Sequence, residues 1–164
     1  MTRRRRLSIL ALLALLAGCA QAPPPVVAAA PVAANPTVLR VALKESGGVN
    51  YVMVGIDNVC CFPFMLDSGA SDVSVSPDIF RALVKSGRVT EADLFDVVKY
   101  RTASGAVIEG LRFRMPPMTV GGRTVNGVIA SVSKGADVML LGQSFLKQFR
   151  FWAIDNRTGE LVLG

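Results

Sequence analysis

The chain of 164 residues is long enough for one folded domain, and a 51% share of hydrophobic residues supplies its core. Four residues of the formal +6 charge are Arg3, Arg4, Arg5 and Arg6; without them fourteen basic residues face twelve acidic ones. No basic stripe with interleaved aromatics remains, so nucleic acid is not expected as a partner. Histidine is absent, which excludes Ser-His-Asp and Cys-His catalysis and histidine metal sites. No dinucleotide glycine fingerprint or lysine-bearing phosphate loop is present. No metal or cofactor is therefore expected, and any catalysis falls to carboxylates, hydroxyls, lysines or thiols.

In chain order, the arginine run leads into an apolar stretch at 7–17, too short for an ordinary spanning helix. The stretch ends in Leu16-Ala17-Gly18-Cys19, which resembles the bacterial lipobox. By that resemblance residues 1–18 are a lipoprotein signal peptide and Cys19 is the lipidated first residue of the mature protein. The implied location is the bacterial cell envelope, with a lipid anchor in the membrane and the domain in the periplasm. An ordinary transmembrane anchor, or a chance cysteine after a signal peptide, is the plainer alternative. Residues 19–36 hold Pro23, Pro24, Pro25, Pro31 and Pro36 among alanines and valines, the composition of an extended, semi-rigid tether. The folded domain is expected over 37–164.

Residues 50–56 alternate poorly but are rich in Tyr, Val, Met and Ile, and read as a strand. Asp57-Asn58 is a turn, and 59–66 a second strand. That strand carries Cys60 and Cys61, whose adjacency strains a bridge between them. Alternation places one in the core and the other at the surface as a thiol, open to an intermolecular disulfide. A short strand at 73–75 precedes a helix capped by Ser76 with Pro77 at its first position, ending near Gly87. Thr90, with Asp93 three residues on, caps a second short helix. Residues 97–103 and 107–115 form a hairpin about Ser104-Gly105. Met115-Pro116-Pro117-Met118 reads as a surface crossing. Strands at 118–120 and 124–132 flank Gly121-Gly122. A brief strand at 138–141, a short helix at 143–148 and a last hairpin from 149–154 to 161–163 complete the chain. The count of short strands and turns suits a small, mostly β, barrel-like domain.

The segment Phe64-Met65-Leu66-Asp67-Ser68-Gly69-Ala70-Ser71 runs an apolar strand directly into an acid. An acid there is costly unless something satisfies or uses it. Alone, Asp-Ser-Gly is also a common turn tripeptide. Some seventy residues later come Val138-Met139-Leu140-Leu141-Gly142-Gln143-Ser144-Phe145-Leu146, then Phe151-Trp152-Ala153-Ile154-Asp155 and Leu161-Val162-Leu163. This ordered set resembles the retropepsin-like aspartic peptidases, in particular their bacterial, membrane-associated members, over nearly all of 49–164.

The resemblance implies a retropepsin-like closed β-barrel with two or three short helices. It also implies an aspartic endopeptidase acting on an extended polypeptide. Asp67 is then the catalytic carboxylate. Ser68 matches the position that braces the two loops across a dimer axis, and Gly69 allows close backbone approach. Ala103, Ser104 and Gly105 match the tip of a flap that closes over substrate. Leu140, Leu141 and Gly142 match the turn packed under the catalytic loop. The chain shows no internal repeat and one Asp-Ser-Gly loop, so the second carboxylate is expected from a homodimer. Two departures stand out: the flap tip lacks an aromatic, and Gln143 occupies the position where viral relatives brace the dimer with arginine. A non-catalytic binding or scaffolding lipoprotein on the same fold is the alternative, and a ligand-carrying small barrel a third. Asp72 reads either as a brace for the loop or as a solvated acid.

Overall fold

A computed structural model describes residues 38–164. The segments expected as signal peptide and tether, with Cys19, lie outside the described residues. Among those residues no helix is long and apolar enough to cross a membrane.

Thirteen short strands and two helices follow one another: β1 (Leu39–Ala42), β2 (Lys44–Ser46), β3 (Val49–Ile56), β4 (Val59–Leu66), β5 (Val73–Val75), α1 (Pro77–Lys85), β6 (Leu94–Arg101), β7 (Val107–Arg114), β8 (Met118–Val120), β9 (Arg123–Val125), β10 (Ile129–Ser133), β11 (Leu140–Leu141), α2 (Gln143–Leu146), β12 (Trp152–Asp155) and β13 (Glu160–Leu163). A single 3-10 turn at Glu91–Asp93 precedes β6. The expected mostly β domain with two or three short helical segments is what forms.

The β3–β4 hairpin turns at Asp57 and Asn58, which both take positive φ, 48° and 62°. Two such residues in succession make the tight turn whose twist matches its strands. Along β3, Val52, Val54 and Ile56 are buried while Met53 is 47% exposed. The period of two is therefore real, and apolar residues on both faces hide it in the sequence. Pro63 in β4 falls where only β3 flanks the strand, because β11 pairs with β4 at Met65 and Leu66 alone. A residue without a backbone N–H costs least on such an edge.

The larger sheet runs β6-β7-β10-β5-β11-β4-β3-β8-β9, with β2 added beside β3. Its edges, β6 and β9, are not paired with each other, so the expected closed barrel is an open sheet. The β6–β7 hairpin projects from one edge, where closure would need its outer strand. A second sheet joins both ends of the described chain in the order β1-β13-β12. Leu161 and Leu163 of β13 are fully buried in the same core cluster as Phe64, Phe113, Phe145 and Leu141, so one core serves both sheets.

Several expectations are corrected. Cys60 and Cys61 are both exposed, so neither is a core residue. The strand expected at 124–132 is two strands, because Gly127 turns with φ 71° and sends β9 to β8 and β10 to β5 and β7. Met115 and Pro116 are buried, so the crossing between β7 and β8 is partly internal. It is tied down by Met115 N–H donating to Val128 O at 2.8 Å and Asp57 N–H donating to Pro117 O at 2.8 Å.

Candidate active site

Asp67 owes its place to a topological break. Strands β4 and β5 are consecutive in sequence but not adjacent in the sheet, because β11 lies between them, parallel to β4 and antiparallel to β5. The chain leaving β4 must step over β11 to reach β5, and Asp67 to Asp72 make that step. Three backbone bonds hold the step on the β11–α2 corner. Asp67 N–H donates to Leu141 O (3.2 Å), Gln143 N–H to Ala70 O (2.8 Å) and Ser144 N–H to Ser71 O (3.0 Å).

Gly142 is what lets the two segments touch. A Cβ there would sit 2.2 Å from Asp72 O and 2.8 Å from Ala70 O, inside backbone that has no room to yield. Its φ of −93° is ordinary, so the requirement is space and not conformation. Leu140, Leu141 and Gly142 thus lie directly beneath the Asp67 loop.

The Asp67 carboxylate is partly exposed and oriented by its own loop. Oδ1 accepts the Gly69 N–H at 2.8 Å and the Ala70 N–H at 3.2 Å. Among the described residues Oδ2 accepts no hydrogen bond. Gly69 has an ordinary φ, but a Cβ on it would lie 3.2 Å from Asp67 Oδ1, so glycine keeps that contact unstrained. Ser68 is exposed beside it, and its carbonyl accepts from Gln143 Nε2 at 2.8 Å. The position that breaks the viral pattern therefore braces the loop of its own chain.

Asp67 opens into a cleft of about 590 Å³ roofed by the β6–β7 hairpin and lined by Gly69, Asp72, Tyr100, Thr102 and Ala103, among others. The hairpin tip spans Thr102 to Ala106. Thr102 N–H donates to Ala106 O (2.8 Å), Gly105 N–H donates to Thr102 O (2.9 Å), and Gly105 takes φ 84°. The tip is therefore three residues closed by a glycine bulge, one longer than the expected two-residue turn. Of the flap residues picked from sequence, Ala103 lines the cleft, while Ser104 and Gly105 form the exposed turn beyond it. A smaller apolar hollow of about 150 Å³ lies between α1 and the β3–β4 hairpin and is lined by no acidic residue.

Ser144, Tyr100 and Arg112 also shape the site and were not singled out by sequence. Ser144 Oγ accepts the Val73 N–H at 2.8 Å and donates to Ile129 O at 2.6 Å, pinning α2 to β5 and β10. Tyr100 donates to Asp72 Oδ2 at 2.6 Å, and Arg112 Nε lies 2.9 Å from the same oxygen. Asp72 is 9% exposed, so of its two readings the solvated acid is excluded. No local signal marks these residues, whose partners lie 15 to 71 positions away. Among the described residues no cluster of His, Cys, Asp or Glu could hold a metal.

The family model described as gag-polyprotein putative aspartyl protease matches residues 52–148, which run from β3 past α2 and include the Asp67 loop and the hairpin above it. No curated protein matches the sequence. Among solved structures, a retropepsin-like aspartic protease from Rickettsia conorii superposes with a TM-score of 0.53 at 23% identity. The match covers 77% of this chain and 88% of that one. At that identity it is a likeness of fold.

Proposed function

The chain belongs to the family of gag-polyprotein putative aspartyl proteases, and from that premise we propose that it is an aspartic endopeptidase in which the Asp67 carboxylates of two copies activate one water. The observation that carries the reading is the Asp67 carboxylate itself. Its Oδ1 is fixed by two backbone N–H groups, and its Oδ2 is left to a cleft under a hairpin. Pinning one oxygen orients the carboxylate without consuming the other.

One chain brings one such loop. The other acid lining the cleft, Asp72, is engaged by Tyr100 and Arg112 and does not supply a free partner. A two-fold axis beside Ser68 would bring a second Asp67 to face the first. Two carboxylates that close do not both ionise readily and hold one proton between them. The charged member then takes a proton from the water as its oxygen attacks the scissile carbonyl carbon. The protonated member donates to the carbonyl oxygen. Collapse of the tetrahedral species breaks the C–N bond, and the departing nitrogen takes up the proton. An extended peptide lies in the cleft and pairs its backbone with the hairpin and loop edges. No cofactor enters the scheme.

We further propose that Cys19 carries a lipid and that residues 19–36 hold the domain off a bacterial envelope membrane. The support is the order Arg3–Arg6, apolar run, Leu16-Ala17-Gly18-Cys19. Fatty-acid labelling in bacteria that is lost in Cys19→Ala is the expected result.

The catalytic proposal is tested by cleavage of a peptide library from acid to neutral pH, beside Asp67→Asn. The parent is expected to cleave, to favour mildly acidic pH and to be inhibited by pepstatin. Asp67→Asn is expected to leave no detectable cleavage while remaining folded. Cleavage that survives Asp67→Asn contradicts the proposal, and a folded dimer that cleaves nothing points to a binding protein on this fold.

A further inference from the structure

We infer that Asp72 is a positioning residue that anchors both strands of the flap over the catalytic loop, through Tyr100 from one strand and Arg112 from the other. The inference rests on the β6–β7 hairpin acting as the flap of a peptidase, the reading given above.

Asp72 closes the same loop that Asp67 opens, five residues earlier. A carboxylate 9% exposed must be satisfied by the protein. Its Oδ2 accepts from Tyr100 Oη at 2.6 Å, and the Arg112 guanidinium meets both its oxygens, Nε at 2.9 Å from Oδ2 and Nη2 at 3.5 Å from Oδ1. The Nε contact is an ion pair and not a directed hydrogen bond, since Nε is buried without a hydrogen-bond partner of good geometry. Tyr100 belongs to β6 and Arg112 to β7. One carboxylate of the catalytic loop therefore grips each strand of the hairpin once.

Two further observations show that the grip is built into the sheet. A Cβ at Gly110 would lie 2.9 Å from Tyr100 Cε2 and 2.7 Å from Ser133 Oγ, so the missing side chain makes the bed in which the ring lies. The cross-strand register Leu140, Ser74, Ser131, Arg112 carries the floor of the cleft from β11 to the flap without a step, which sets Arg112 level with the loop. The hydroxyl also stays a donor at any working pH: burial first, and then the hydrogen bond to Asp72, push the Tyr100 pKa up to about 12. The flap tip, Ser104-Gly105, carries no large side chain with which to hold itself down. Its height over Asp67 is set from the base.

The test is amide hydrogen exchange on the full chain, read together with peptide-cleavage kinetics, for Tyr100→Phe, Asp72→Ala and Asp72→Asn. Tyr100→Phe keeps the ring on Gly110 and removes only the hydroxyl. It is expected to speed exchange in 94–114 about tenfold, the scale of one hydrogen bond to a charged group, with β12 and β13 unchanged. KM is expected to rise several-fold with kcat held within about twofold, because a loosened flap weakens ground-state and transition-state binding alike. Asp72→Ala is expected to show the larger change, and Asp72→Asn, which still accepts from Tyr100, the smaller. If Asp72→Ala does not fold, Tyr100→Phe decides. Flap exchange equal to the parent, or faster exchange spread evenly over all strands, overturns the anchor. A folded dimer of the parent that cleaves no peptide overturns the peptidase reading instead, and the exchange result still decides whether Asp72 holds the hairpin.

Discussion

Ser144 shows how a single hydroxyl holds the site together. It satisfies the N–H of Val73, which is fully buried, and spends its own proton on Ile129 O, so α2, β5 and β10 meet at one atom. Ser144→Ala leaves the Val73 N–H buried without a partner and is expected to cost about 1–3 kcal/mol. The measurement is urea unfolding, with a lower midpoint and an unchanged slope. Gly142→Ala is expected to be worse, because its Cβ would enter the carbonyl of Asp72. Overpacking against fixed backbone costs roughly 3 kcal/mol or more, and the expected readout is loss of the folded domain on expression. Asp67 was legible in the sequence not from Asp-Ser-Gly, a common turn tripeptide by itself, but from its ordered setting with 138–146, 151–155 and 161–163. Ser144, Tyr100 and Arg112 were not, because a hydroxyl, a phenol and a guanidinium on ordinary elements acquire meaning only from distant partners.

At the scale of elements, the terminal sheet is laced by Arg40 of β1, which reaches Asp155 at 3.1 Å and Glu160 at 2.9 Å. Asp155 is held below the usual carboxylate range chiefly by its hydrogen bond from Arg40, and Glu160 by its bonds from Thr158 and then Arg40. A carboxylate whose folded pKa is depressed stabilises the fold above its ordinary value of about 4 and loses that contribution as pH falls through the depressed value. The groups are solvent-facing, so the effect is small. The midpoint difference between the parent and Arg40→Met is expected to be present at neutral pH and to vanish in strong acid. A constant difference across that range contradicts the assignment.

The elements that sequence reading located best are those with local signals. The Asp57-Asn58 turn fixed β3 and β4, and Ser76-Pro77 fixed the start of α1, where Ser76 Oγ accepts the Ile79 N–H at 3.4 Å. The segments it missed lack them. Strand β1 has only a four-residue alternation, Leu39 and Val41 turned inward against Arg40 and Ala42, and its partner β13 lies more than a hundred residues away. The joined 124–132 strand failed because its apolar residues continue across Gly127 while the sheet neighbours change.

At the scale of the whole molecule, the described residues hold one Asp67 loop, one hairpin above it and one cleft, which on the proposed reading is half of a two-carboxylate site. The family supplies the kind of chemistry, and the single Asp67 supplies the reason for a second copy. Gln143 braces Ser68 within the chain, so the loop is shaped before any partner arrives. Pairing is then expected to be the step that switches activity on. It would be favoured where a membrane anchor concentrates the chains. Specific activity of the soluble domain is accordingly expected to rise with protein concentration, and a flat dependence in the range where sedimentation shows monomers would contradict it.

The most direct measurement of the central claim is a mixing experiment. Parent and Asp67→Asn chains are unfolded together, refolded at fixed total concentration, and assayed for peptide cleavage as the parent fraction varies. If one water is shared by the Asp67 carboxylates of two copies, mixed dimers are inactive and activity falls as the square of the parent fraction. Activity that falls in simple proportion to the parent fraction means each chain works alone, and contradicts the account.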